Sequence, residues 1–181
     1  WVRDCVWNWA PSLSEIPVIF CESSSVEDTH AIAGAVASLV RPRDIIVLAG
    51  EMGAGKTAFT LGFARALGVS ENDHVSSPTF TLVHSYTSGK IPLLHADLYR
   101  LQTMAEVADL GLREQADLGA VALVEWGDVA HDVFGEVLTV ELAHDDDNDE
   151  VRRITISVEG HAWDSRWERL KESVRSWRGH S

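Results

Sequence analysis

Two cysteines in 181 residues, Cys5 and Cys21, are too few for a disulfide scaffold, and they match no metal-ligand spacing. A reducing, cytoplasmic setting is the simplest expectation. No apolar run approaches the length of a bilayer crossing, and the opening W-V-R-D-C-V-W-N-W-A lacks the continuous apolar stretch of a secretory signal. Positive charge is scarce as well: 15 Lys and Arg stand against 28 Asp and Glu, a net charge of −13. A field of that sign repels RNA and DNA, so the chain alone is expected to bind little nucleic acid. Part of the acidic excess lies in Asp145, Asp146, Asp147, Asp149 and Glu150. That run has neither the spaced ligands nor the turn glycine of a calcium loop, and reads as a solvated loop tip.

What is present fits one core. A hydrophobic fraction of 45% in a chain of this length suits a single folded domain. Residues 1–20, with Trp7, Trp9, Pro11 and Pro17, read as an N-terminal arm. Residues 21–160 carry the domain, and residues 161–181 a Trp-rich amphipathic helix packed on it. I-P-V-I-F-C (16–21) reads as a short strand. From Ser25 the spacing turns helical, with Ser25 and Asp28 placed for a capping box and Ile32, Val36 and Leu39 on one face. Arg41-Pro42-Arg43 is expected to close that helix.

Asp44 to Ala49 is an apolar strand suited to a sheet interior. A helix from Thr57 to Leu67 follows, stopped by Gly68, with Leu61, Ala64 and Leu67 toward the sheet and Gly62 allowing close approach. Strands are predicted at 79–86, 92–97 and 120–126, the first two joined by the hairpin turn T-S-G-K. Met104 to Ala116 is helical around Gly111. Residues 135–142 and 152–159 form an antiparallel pair, and a last helix of about four turns carries Trp163, Trp167, Leu170, Val174 and Trp177. The prediction is an α/β, P-loop NTPase-like three-layer fold with a mixed central β-sheet flanked by helices.

The chemistry centres on I-I-V-L-A-G-E-M-G-A-G-K-T (45–57). Gly50, four residues, Gly55-Lys56-Thr57 is a complete phosphate-loop pattern between an apolar strand and a helix. Glycines let the loop through Gly50, Glu51, Met52, Gly53, Ala54 and Gly55 wrap with its backbone N–H groups inward, while the side chains of Glu51 and Met52 point away. The helix start at Lys56, Thr57 and Ala58 adds free N–H groups. Lys56 is expected to sit between the β and γ phosphates of a bound nucleotide, and the Thr57 hydroxyl to ligate Mg²⁺. A metal site needs a further carboxylate, and two apolar strands end in one: Glu125 in V-A-L-V-E-W and Asp97 in L-L-H-A-D. Glu125 is assigned to the metal, directly or through water. Asp97 is expected to hold a metal-bound water or orient the attacking one. Ser76-Ser77-Pro78-Thr79 reads as a plain turn or as a segment sensing the γ phosphate. His84 and His95 read as ordinary packed histidines, and Trp126 as packing. Arg100, Arg152 and Arg153 are candidates for charge contacts to phosphate.

G-E-M-G-A-G-K-T, V-S-S-P-T-F-T-L-V, H-A-D-L-Y-R-L and V-E-W together resemble the TsaE (YjeE) family, in matching order from Ser25 to about Arg153. The resemblance implies an Mg²⁺-dependent ATPase, weak alone, that serves synthesis of the threonylcarbamoyl modification at adenosine 37 of tRNA. It implies TsaD-like and TsaB-like partner proteins, with hydrolysis resetting their complex between turnovers. Matched by motif, Lys56 and Thr57 hold phosphate and Mg²⁺, Thr79 lies in the switch-like segment, Asp97 is a catalytic or metal-site carboxylate, Glu125 is the Walker-B-type residue and Thr29 is a nucleotide contact. The arm before Cys21 and the helix after Gly160 run beyond the family core, and G-D-V-A-H-D-V-F matches it less well. A small-molecule or nucleoside kinase shares the phosphate loop but needs an acceptor pocket and an arginine-bearing lid, for which no Arg-rich segment stands out. A GTPase would need an N-K-x-D motif, which the chain lacks.

Overall fold

In the computed structural model the described residues are 16–78, 81–127, 131–145, 148 and 150–179. Thr79, Cys5, the tryptophans of the arm, and Asp146, Asp147 and Asp149 of the acidic run lie outside them. Seven strands form one sheet in the order β1-β7-β6-β2-β5-β4-β3. They are β1 (Val18–Ser23), β2 (Ile45–Ala49), β3 (Val83–Tyr86), β4 (Leu93–Asp97), β5 (Val121–Glu125), β6 (Val137–His144) and β7 (Arg152–Glu159). The centre, β6-β2-β5-β4, is parallel, whereas β1, β7 and β3 pair antiparallel. Every residue of β2 and β5 is buried, as their unbroken apolar runs require of strands covered on both faces.

Two cores follow from the alternation of side chains along these strands. Leu48, Leu93 and Leu123 face a layer made by α1 (Val26–Ala37), α2 (Lys56–Leu67) and the C-terminal segment. Val47, Ala96 and Val124 face α3 (Met104–Asp109), α4 (Leu112–Asp117) and α5 (His131–Phe134) on the other side. The result is the expected three-layer α/β arrangement. Among the described residues no helix is long and apolar enough to cross a membrane.

Local rules explain most boundaries. Ser25 caps α1 by accepting from Asp28 N, but Asp28 Oδ2 accepts in turn from Ser24 N, one residue before the cap, so the box is not closed on Ser25. Thr103 and Glu106 make the complete box at α3. The first helix stops at Ala37, ahead of the Arg-Pro-Arg segment. Ser38 ends it, with its N–H on the Gly34 carbonyl and its hydroxyl on that of Ala35. On α2 the deeply buried positions are Phe59, Phe63, Ala64 and Leu67, while Leu61 is only half-buried. Two phenylalanines take the place the periodicity gave to Leu61, because α1 as well as the sheet packs on α2. Gly62 is the contact point: a methyl group there would lie 2.5 Å from His30 Cα.

The predicted four-turn C-terminal helix is shorter. Only α6 (Trp167–Ser173) and a 3-10 turn (Arg175–Trp177) are helical. Tight turns closed by Asp164 N to His161 O and Arg166 N to Trp163 O precede it, and they carry Trp163 inward to full burial. Trp163, Leu170 and Val174 join the core under α1. Cys21 is buried in β1, and burial pushes its thiol up to about 11, which leaves it an inert side chain.

Candidate functional site

Beyond Ala49 the chain turns through Gly50, Gly53 and Gly55, with φ of 130°, 82° and 108°. The left-handed region admits side chains poorly, and at Gly50 a Cβ would also collide with the Leu142 carbonyl of β6. Glycine is therefore required here by the neighbouring strand as well as by the turn. The helix α2 then starts at Lys56 and aims its free N–H groups into the loop.

Lys56 is buried. Its ammonium donates to the carbonyls of Gly50 at 2.6 Å and Glu51 at 2.8 Å, and lies 3.9 Å above the Trp126 ring centroid. A desolvated cation against carbonyls and a ring face is a strong attractor for an anion.

Opposite the loop, sheet register places the carboxylates. Asp97 at the end of β4 pairs in register with Glu125 at the end of β5, and Glu125 pairs with Leu48 of β2. Both acids thus reach the carboxyl ends of adjacent parallel strands beside the glycine loop. Met52, Gly53, Gly55, Lys56 and Thr57 line one wall of a cleft of about 470 Å³. Asp97, Tyr99, Arg100, Glu125 and Trp126 line the other, with Pro78 and Leu82 between. That volume is in the range of small-molecule sites.

The carboxylates are held differently. Glu125 is almost fully buried; its Oε1 lies 2.8 Å from His95 Nε2 and 3.5 Å from the Thr60 hydroxyl. Asp97 is half-buried, with Oδ2 accepting from the Ser77 hydroxyl at 2.5 Å and Oδ1 from Tyr99 N at 2.9 Å. The serine-rich bend is therefore tied to the strand-end carboxylate through Ser77. Leu82 and Trp126, both lining the cleft, have left-handed backbones, with φ of 61° and 60°.

Of the residues named from sequence, Met52, Gly53, Gly55, Lys56, Thr57, Asp97 and Glu125 converge on one cleft. Gly50, Glu51 and Ala54 build the loop behind it, and Ala58 follows in the first turn of α2. Thr29 is not among the residues lining this cleft: it is buried in α1, with its hydroxyl bonded to that of Ser23. Arg100 lines the cleft, whereas Arg152 and Arg153 lie on β7, with Arg153 paired to Asp145. His84 stays on β3 beside Tyr86. The sequence gives no sign of Thr60 or Tyr99, reads His95 and Trp126 as packing, and names Ser77 only within the segment 76–79. For His95 a signal existed: it shares strand parity with Asp97, so both face α2 together with Glu125.

Among the described residues no group of three His, Cys, Asp or Glu side chains could hold a metal alone. Magnesium is ordinarily held by one or two carboxylates completed by phosphate oxygens and water, and Glu125 and Asp97, beside the Thr57 hydroxyl, meet that demand.

Similarity to known proteins runs across this same region. A family model described as threonylcarbamoyl adenosine biosynthesis protein TsaE matches residues 23–154. The chain is 38% identical over 147 residues to a tRNA threonylcarbamoyladenosine biosynthesis protein TsaE of Bacillus subtilis, covering 80% of this chain and 88% of that protein. To the Streptomyces coelicolor protein of the same name it is 38% identical over 134 residues, covering 71% and 88%. The crystal structure of Bacillus subtilis YdiB superposes with a TM-score of 0.68 at 31% identity, covering 89% of this chain and 96% of that one. Matched through the glycine loop, the serine bend and both carboxylate strands, the chain belongs to the TsaE family.

Proposed function

We propose that the chain binds ATP with Mg²⁺ in this cleft and hydrolyses it in support of tRNA threonylcarbamoyladenosine synthesis. Family membership and the names of its relatives support the pathway. One observation carries the chemistry: Lys56 and Thr57, at the start of α2, share a cleft with two carboxylates in register at neighbouring strand ends.

The residues present fit the nucleotide and the metal. The glycine loop offers backbone N–H groups, the Lys56 ammonium supplies buried positive charge, and Thr57, Glu125 and Asp97 supply oxygen ligands. Bound Mg²⁺ would neutralise charge on the phosphate oxygens. Lys56 would exchange its two loop carbonyls for phosphate oxygens. Glu125, held by His95, would keep one oxygen fixed toward the metal or its water. Asp97 is placed to orient a water, and its bond to Ser77 links that role to the segment that precedes Thr79 in the sequence. Trp126 covers the Lys56 ammonium, and the exposed Tyr99 ring packs against it with centroids 5.1 Å apart.

A kinase reading has less support. Among the described residues Arg100 is the one arginine lining the cleft, where phosphate transfer to a small acceptor calls for an arginine-bearing lid. TsaD-like and TsaB-like proteins in the cytoplasm are the proposed partners, with tRNA held mainly by them.

The test is calorimetric titration with ATP and Mg²⁺, followed by turnover measured with and without those partners. Lys56→Ala should weaken ATP binding by at least about 10-fold, the scale of one lost charge-assisted bond. Glu125→Gln and Asp97→Asn should retain binding and lose turnover. Unchanged turnover in both carboxylate variants, with all partners present, would sink the proposal.

A further inference from the structure

A second cavity opens at the opposite pole of the sheet, where β2 begins. The five residues of β2 separate it from the glycine loop by about 16 Å. Its volume is about 290 Å³, and four arginines are among the residues that line it: Arg41, Arg43, Arg113 and Arg166. In a chain of net charge −13 such convergence calls for a physical account.

Two of the four are only partly satisfied. Arg166 is 2% exposed and forks onto Asp44, with Nη1 and Nη2 on separate carboxylate oxygens, yet its Nε is buried with no hydrogen-bond partner among the described residues. Arg113 donates Nη2 to the Arg43 carbonyl at 2.9 Å, and its Nε is likewise buried and unpartnered. Both of these N–H groups are closed to solvent, so their cost is carried inside the protein, and the donors left to meet a ligand are the exposed Arg41 guanidinium and the rest of Arg113.

The available carboxylates do not fill that role. Asp44 is committed to Arg166 and to the Arg41 backbone N–H. Glu136, also on the wall, accepts from His161 N, and Asp117 pairs with Arg43 at the exposed rim. The exposed Arg41 guanidinium carries no ion pair among the described residues. The loop that presents it is also strained: Arg43, with φ of 83°, is one of three non-glycine residues in the left-handed region among those described. The other two, Leu82 and Trp126, line the proposed nucleotide cleft.

From this we infer that the Arg41–Arg43–Arg113–Arg166 cavity is a second anion site, one that receives a phosphate group. Planar guanidinium donors on several sides match the tetrahedral oxygens of a phosphate better than they match a single carboxylate. The phosphate is either a free inorganic or nucleotide phosphate, or one phosphodiester of an RNA backbone. Arg41 and Arg113 are the groups that would meet it, while Arg166 forms the buried floor.

The test uses the full chain carrying Lys56→Ala, so that the glycine loop does not compete for the probe. Inorganic pyrophosphate is titrated calorimetrically, and an unmodified, fluorescently labelled tRNA transcript by anisotropy across a salt series. Pyrophosphate binding should persist in the Lys56→Ala background and fall at least about 10-fold on adding Arg41→Glu or Arg113→Gln, while Arg41→Lys, which keeps the charge but loses the planar fork, should weaken it by less than Arg41→Glu does. Arg41 is exposed, so its charge reversal remains informative if Arg113→Gln fails to fold. If the phosphate belongs to RNA, tRNA binds as well, and the slope of log affinity against log salt falls by about one for each arginine removed. Pyrophosphate binding without tRNA binding assigns the site to small phosphates. No binding of either probe, or binding indifferent to Arg41→Glu, overturns the inference. Failure of the wild-type chain to bind ATP would refute the glycine-loop reading alone and leave this titration unaffected.

Discussion

His95 and Glu125 face each other across the adjacent parallel strands β4 and β5, with Nε2 2.8 Å from Oε1 and both side chains closed off from solvent. The imidazole donates to a carboxylate that belongs to the cleft without touching the cleft itself. It is a positioning residue: it fixes the rotamer of Glu125 and thereby the direction of the free oxygen.

His95→Ala should lower turnover by about 10-fold or more, the usual cost of losing a partner behind a metal-site ligand, while ATP affinity moves by less than about 3-fold. His95→Gln, whose amide nitrogen can reach the same oxygen, should recover part of that turnover. Paired calorimetry and single-turnover kinetics separate the two quantities. Equal losses in the alanine and glutamine variants, at unchanged melting temperature, would contradict the hydrogen-bond account.

The contact of α1 with α2 yields a stability prediction. Gly62→Ala improves intrinsic helix propensity by up to about 1 kcal/mol. The added methyl, however, meets backbone atoms of His30, at 2.5 Å from Cα and 2.8 Å from the carbonyl oxygen, and backbone cannot rotate away. Overpacking should win, for a net loss of about 1–2 kcal/mol. Thermal melts of the two proteins check it, and a variant more stable than the parent would show that α1 can shift without cost.

These two cases show what the sequence made legible. The glycine loop, Asp97 and Glu125 could be read because their chemistry is written locally: a spacing of glycines, and an acid closing an apolar run. Strand ends in an open α/β sheet do converge, so the cleft itself followed from the pattern. His95 stayed hidden because its partner is thirty positions away and its strand looked apolar throughout, leaving packing as the simplest reading. The C-terminal helix was overestimated for a related reason. Trp163 keeps helical spacing with Trp167, but it is carried inward by a tight turn into the core packed beneath α1. The arginine pole was invisible for the same cause, since Arg41, Arg113 and Arg166 come from three separate segments.

Arg166 and Asp44 form a buried ion pair with side chains 3% and 6% exposed. Removing one member strands the other. Arg166→Met should therefore cost about 3–5 kcal/mol, measured by urea unfolding, whereas Arg166→Met combined with Asp44→Leu should cost clearly less than the sum of the single changes. Additive losses would mean that the two charges do not support one another. Because Arg166 also donates to the Leu39 and Ala162 carbonyls, the double variant is not expected to return fully to parental stability.

At the far end of the same segment, Trp177 donates its indole N–H to Asp28 Oδ1 at 2.9 Å, tying the C-terminal turn to the first turn of α1. That bond, followed by the one from Ser24 N, holds the Asp28 carboxyl below its ordinary value of 3.8 against a smaller opposing effect of burial. A carboxyl with a depressed folded-state pKa contributes stability that is fully present above the unfolded value. It is lost as pH falls through the folded one. Trp177→Phe keeps the ring and removes the donor, so at pH 7 it should destabilise the protein by about 1 kcal/mol. Below about pH 4 the gap between parent and variant should narrow steadily, because protonated Asp28 no longer rewards the indole donor. Urea unfolding of both proteins from pH 7 down to the acid limit of folding measures that gap directly. A difference that stays constant with pH would assign the whole effect of Trp177 to ring packing, leaving the Asp28 bond without a part in anchoring the C-terminal turn.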